Sequence, residues 1–202
     1  MNAMNTAHTI DPRPLYTRAT EQIAALVETV RPEQLDAPTP CADFDVRTLL
    51  SHIVGGTRRI AVIGEGGDGL AVHPFADGVG DDGWPAAYDD VRARVLKAWA
   101  DDARMDAPVR VPWGEAPGRN ALSGYVMEAV THTWDLSESL GRPRELDPEL
   151  AEFALAIAHR VLPDGQRDDE ELPFDSAVPT PEGADAYGRL AAWLGRHPLV
   201  TA

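Results

Sequence analysis

Tyr125-Val-Met-Glu-Ala-Val-Thr-His-Thr-Trp-Asp135 is the stretch from which the fold of this chain is read. Its apolar residues belong to a stripe, Leu122, Tyr125, Val126, Ala129, Thr133 and Leu136, whose spacing is helical rather than alternating. The stripe predicts one long helix, capped by Asn120 and stopped at Gly141. Glu128 and His132 lie four apart on it, so both side chains leave one face about one turn apart, along the border of the stripe. Leu49-Leu50-Ser51-His52-Ile53-Val54 carries a further histidine at the margin of its own apolar stripe. Two imidazoles and a carboxylate converging between packed helices suit a divalent transition metal, and three protein ligands leave positions open for water or substrate. The same spacing is also common as an ordinary contact on a helix surface. Read from spacing alone, the alternative is two unrelated border histidines and a surface glutamate. Asp135 either orients the His132 imidazole as an acceptor or is a plain surface aspartate. Trp134 reads as packing.

The pattern extends outward in both directions. Ile23, Leu26, Val27 and Val30 predict a first helix that Pro32 ends, and Val46, Leu49, Leu50 and Ile53 a second, capped by Asp43 or Asp45. Trp84-Pro85 opens a third, with Tyr88, Val91, Val95 and Trp99 on one face. After the fourth, Asp147-Pro148 starts a fifth that runs to Pro163, and Thr180-Pro181 a sixth that ends at Gly195. The expectation is an all-α bundle of four long helices with two shorter C-terminal helices packed on it. Val109-Arg-Val-Pro112 reads as a short extended piece, with no sheet expected. Gly64 to Gly83 holds seven glycines and reads as a mobile loop. Its Gly64-Glu-Gly-Gly-Asp-Gly run lacks the preceding strand and the Lys-Ser or Lys-Thr pair of a phosphate loop. Asp168-Asp-Glu-Glu171 reads as a solvated loop.

Composition narrows the function. A formal net charge of −15 over 202 residues argues against nucleic acid as a partner, because phosphate binding relies on clustered Lys and Arg. Lys97 is the one lysine among 18 basic residues, which fits a GC-rich genome rather than an arginine-based function. No apolar run is long enough for a membrane span, and the start lacks the basic and apolar regions of a signal peptide. Met4 is an alternative initiator. Cys41 stands alone, which excludes an internal disulfide and suits a reducing cytoplasm. With no CxxC partner and no local basic cluster, it reads as structural. His8, His73, His159 and His197 read as surface groups.

Two motifs carry a family resemblance. Thr39-Pro-Cys-Ala-Asp-Phe-Asp-Val-Arg-Thr-Leu-Leu-Ser-His-Ile-Val-Gly-Gly56 resembles the helix-opening and first-histidine motif of the mycothiol-dependent maleylpyruvate isomerase N-terminal domain family, within the wider DinB-like metal-binding bundles. Glu128-Ala-Val-Thr-His-Thr-Trp-Asp-Leu-Ser-Glu-Ser-Leu-Gly141 resembles its second motif, and Leu190-Ala-Ala-Trp-Leu-Gly-Arg-His-Pro198 is similar to the closing signature of an actinobacterial branch. The resemblance spans roughly residues 15–198, and the expectation is a single DinB-like domain over residues 12–198 after a disordered N-terminus over residues 1–11. It implies His52, Glu128 and His132 as ligands of a divalent metal, most often zinc, with nickel, iron or manganese as substitutes. It further implies mycothiol as a cosubstrate; the expectation is a cytoplasmic transferase or isomerase-like enzyme acting on a small electrophile, in which Asp135, three residues after His132, is the further catalytic candidate. A homodimer is a further expectation, because relatives with this bundle often pair through helices.

Two departures qualify these implications. Maleylpyruvate isomerases carry a further C-terminal domain that supplies a catalytic arginine, so maleylpyruvate isomerisation itself is not expected of this chain. Many DinB-like relatives have a third histidine where Glu128 stands; a carboxylate makes the site harder and less positive. The rival readings are a non-catalytic metal- or ligand-binding module and a hydrolase using metal-activated water.

Overall fold

Aspartate side chains cap several of the helices, including one of the two that carry the site. In the computed structural model, which describes residues 10–41, 43–142, 145–162 and 174–199, α1 spans Arg13–Val27 and α2 spans Val46–Gly64. Of the two caps expected for α2, Asp45 does the work, its carboxylate accepting from the Thr48 amide at 2.7 Å. α3 is Trp84–Ala98, with Pro85 in its first turn, and α4 is a short Asp102–Asp106 helix. Strands β1 (Pro108–Val111) and β2 (Gly114–Pro117) follow, and then α5, Gly118–Ser139. α6 is Pro148–Val161, capped by Asp147, and α7 is Ala186–Trp193, capped by Asp185.

Four of these helices close a ring. α2 packs on α3, α3 on α1, α1 on α5 and α5 on α2, while α6 and α7 pack on each other and on α5. The all-α DinB-like bundle with extra C-terminal helices is therefore present. Its centre is apolar, with Tyr16, Leu26, Leu49, Leu50, Tyr88, Leu122 and Tyr125 almost wholly removed from water. No helix among the described residues is long and apolar enough to cross a membrane.

Several expectations need correction. A sheet exists: β1 and β2 form an antiparallel hairpin pairing Pro108 with Pro117 and Val111 with Gly114. Its inward residues, Val109 and Val111, join the core, whereas β2 contributes no large apolar side chain. α4 is too short to show a period, α5 begins at Gly118 ahead of Asn120, and α7 begins at Ala186 rather than at Pro181. α1 stops at Val27, before Pro32, because Glu28 and Thr29 already close the last turn with amide bonds to Ala24 and Leu26. α6, at 14 residues, nearly matches the 15 of α1 and α3. His8, Pro163 and the acidic run 168–171 lie outside the described residues, as does most of the 1–11 segment.

The glycine-rich segment is irregular apart from one turn of 3-10 helix at Gly69–Ala71. It is pinned to α2 by Arg59, which donates to the Val72 carbonyl at 2.8 Å, and by the Ser51 hydroxyl, which donates to the Ala76 carbonyl at 2.8 Å. Those anchors bring Phe75 against the face of α2 that carries His52.

Candidate metal centre

His52 projects from α2, and Glu128 and His132 from α5, into the bundle interior, where α1 and α3 complete the surroundings. One donor atom from each of the three lies within 4.8 Å of the others, and His52 Nε2 is 3.7 Å from Glu128 Oε1. Ligands about 2.0–2.2 Å from a zinc ion lie at most about 4 Å apart, so small side-chain rotations bring this set to bonding distance. Gly56 lies beside the carboxylate: a methyl group there would sit 3.6 Å from Glu128 Oε1, in ordinary contact.

The two imidazoles are held differently. His132 is buried, and its Nδ1 lies 3.1 Å from Oδ2 of Asp135, a carboxylate with no exposed surface. That contact occupies Nδ1 and leaves Nε2 as the free donor. His52 sits in an aromatic cage, its ring 5.6 Å from Phe44, 5.2 Å from Phe75 and 5.0 Å from the His132 ring, centroid to centroid. Its Nδ1 is buried with no hydrogen bond. Loss of solvation, then the neighbouring His132, push the His52 pKa down to about 3, only partly opposed by the Pro74 carbonyl. The ring is therefore neutral at physiological pH, the state a metal ligand needs. Burial acts in the opposite sense on Glu128, raising its carboxyl above the ordinary range, although the charges of His132 and Arg59 offset part of the rise.

The His52 shift has a measurable consequence in metal-free protein. Between pH 6.5 and about 3 the unfolded chain binds a proton that the folded His52 refuses, so stability rises with pH across that window and falls on acidification. By pH 5 the loss amounts to roughly 2 kcal/mol. Glu128 contributes with the opposite sign, since protonation relieves its buried charge. Urea unfolding of chelator-treated wild type beside His52→Gln isolates the histidine. The wild type is expected to weaken more steeply below pH 6.5, and parallel curves would contradict the assignment.

The cavity bounded by these residues holds about 20 Å³, room for about one water, and Tyr16, Ile23, Ile60, Tyr88 and Tyr125 are among the other residues of its wall. The Tyr125 hydroxyl is buried there without a hydrogen-bond partner. Desolvation holds its pKa well above the usual phenol range, so it remains a donor.

Other sequence candidates fall elsewhere. His73, His159 and His197 are exposed, and Trp134 is buried as packing. Cys41 is half-buried, and burial pushes its thiol up despite one cation nearby, the Arg196 guanidinium at 3.7 Å. Arg196 is the residue that sequence reasoning passed over. It is buried, and its Nε lies 3.6 Å from Asp135 Oδ1. The only signal for it was its place in the closing Leu190–Pro198 motif.

Known proteins resemble this chain in sequence. The family described as mycothiol maleylpyruvate isomerase N-terminal domain matches residues 16–137, the span that includes all three donors. Two uncharacterised Mycobacterium tuberculosis proteins, one from each of two strains, are 34% identical over 187 residues, covering 93% of this chain and 98% of each relative. That likeness extends past residue 137 into α6. No solved structure matches the chain.

Proposed function

The chain belongs to the mycothiol maleylpyruvate isomerase N-terminal domain family, and on that premise we propose that it binds a divalent metal through His52, Glu128 and His132 and activates a low-molecular-weight thiol against a small electrophile. The observation that carries this reading is the convergence of two nitrogens and one oxygen within 4.8 Å, with the far nitrogen of His132 held by a buried carboxylate. We take residues 12–198 as one metal-binding unit, zinc as the expected ion and mycothiol as the thiol.

A bound ion of this kind supplies a Lewis acid that lowers a thiol's pKa and yields thiolate at neutral pH. The chain's own groups set the conditions for it. His52 stays neutral behind Phe44 and Phe75, which cover part of its ring. Glu128 brings one negative charge to the donor set, which tempers the positive charge offered to the thiol. Asp135 touches His132 and does not line the cavity, so its role is to position that ligand. Tyr125 offers its unpartnered hydroxyl to whatever enters beside Glu128. As the cavity is small, the reacting atoms of thiol and electrophile meet there while their bulk stays outside.

Lowering a thiol pKa from about 8.5 to about 7 raises the thiolate fraction at neutral pH roughly tenfold. Metal-loaded protein mixed with mycothiol and an aryl halide is therefore expected to form thioether about tenfold or more above the protein-free rate. Chelation should abolish the excess and added metal restore it. Turnover of an ester or amide without thiol would instead indicate a hydrolase. Metal binding with no turnover would favour a binding module, a reading supported by the cavity wall, which among the described residues holds no carboxylate or histidine beyond the ligands themselves.

A further inference from the structure

The geometry points to Arg196 as a positioning residue of the metal centre: from the segment after α7 it grips one oxygen of Asp135, so that the other oxygen stays directed at His132. This inference rests on the metal reading above and extends it to a residue outside the span that defines the family.

Asp135 has no exposed surface, and its two oxygens have different neighbours. Oδ2 lies 3.1 Å from His132 Nδ1, and Oδ1 lies 3.6 Å from Arg196 Nε. Among the described residues neither Oδ1 nor Arg196 Nε has a hydrogen-bond partner, and the contact between them is a charge pairing. In a dry interior each ion alone is strongly disfavoured, and the pair persists only while both are present.

Local structure explains why the arginine arrives there. α7 ends in a left-handed turn at Gly195, φ +75°, where the Gly195 amide bonds back to the Ala192 carbonyl and the Arg196 amide to the Ala191 carbonyl at 2.8 Å. A Cβ on Gly195 would lie 2.5 Å from Asp175 Cβ, so glycine is required by space as well as by φ. The turn sends the Arg196 side chain inward, where Nη1 donates to the Leu194 carbonyl at 3.3 Å and the guanidinium lies 5.5 Å from the Phe174 ring centroid. Nη2 meets Cys41 Sγ at 3.7 Å, in the segment that leads into α2 and His52. One side chain thus ties the C-terminal segment both to the support of His132 and to the segment that precedes α2. Outer partners of metal-bound histidine typically change affinity by 10–100-fold when removed.

The test is metal affinity in a double-mutant cycle, using zinc titration of chelator-treated full-length protein. Arg196→Met keeps the length of the stem without the charge, and Asp135→Asn keeps the shape of the carboxylate. Arg196→Met is expected to weaken zinc binding about tenfold, and Arg196→Lys to recover part of that loss. Arg196→Met placed on Asp135→Asn should weaken binding no further, because the arginine acts through the aspartate. A lowered melting temperature with unchanged zinc affinity in Arg196→Met would reduce the residue to packing and overturn the inference. Losses that simply multiply in the double variant would also overturn it. Wild type that takes up no zinc would remove the metal reading itself, and this inference with it.

Discussion

Protein purified without added metal is expected to carry about one divalent ion per chain, and His132→Ala or His52→Ala essentially none. The size of the effect follows from ligand number. With three protein donors, removing one leaves two, too few to compete with water for zinc at ordinary concentrations. Folding should survive, since the ring of four helices is held by extended apolar clusters to which neither histidine belongs. Elemental analysis beside circular dichroism reads both quantities. A His132→Ala protein with full metal content would sink the ligand assignment. The native site should also be stabilised by its ion, by about 4 kcal/mol at a thousandfold excess over the dissociation constant. Glu128→Gln separates the two sides of that balance. Burial makes the Glu128 carboxylate costly without a metal, so the metal-free variant is expected to melt above metal-free wild type while gaining nothing from zinc. A site whose residues weaken the empty protein and stabilise the loaded one is built for its ligand.

How far this centre was legible in the sequence depended on the range of the interactions. The helical period placed Glu128 and His132 on one face, and a cap such as Asp45 acts over three residues, so both could be read locally. Period reading failed where an element was too short or too polar to show one. β2, Gly-Glu-Ala-Pro, has no β-branched residue, and it pairs because β1 lies alongside with Val109 and Val111 already buried. The supports of the site were harder still. Phe75 reaches His52 from 23 residues away through a loop that composition marks only as glycine-rich, and Arg196 reaches Asp135 from 61 residues away across a glycine turn. Both are consequences of tertiary packing, which no local pattern encodes. Asp135 was nameable because it lies three residues from its histidine; its arginine was not.

Gly55 and Gly56 should respond in opposite directions to the same substitution. A glycine within a helix is about 1 kcal/mol worse than alanine, so Gly→Ala normally stabilises. At Gly56 the added methyl would meet Glu128 Oε1 at 3.6 Å, an ordinary contact, and Gly56→Ala is expected to gain up to about 1 kcal/mol. At Gly55 the methyl would lie 2.6 Å from the N, Cα and C atoms of Phe75. Those are backbone atoms with no flexible end to yield, so the loop must move. Overpacking of this kind costs about 1–3 kcal/mol, and the shift also strains the bonds between Ser51 and Ala76, worth about 1 kcal/mol each. These terms exceed the helical gain, and Gly55→Ala is expected to destabilise by roughly 2–3 kcal/mol in urea unfolding. The displacement also carries the Phe75 ring away from His52, where the two now stand 5.2 Å apart. Water then reaches the imidazole, its pKa climbs from about 3 back toward 6.5, and protons begin to compete with metal in mildly acidic solution. A nuclear magnetic resonance titration of His52 in the metal-free variant reads that change directly. A Gly55→Ala protein as stable as Gly56→Ala, with His52 still neutral at pH 5, would show that the loop is not what keeps this ligand dry.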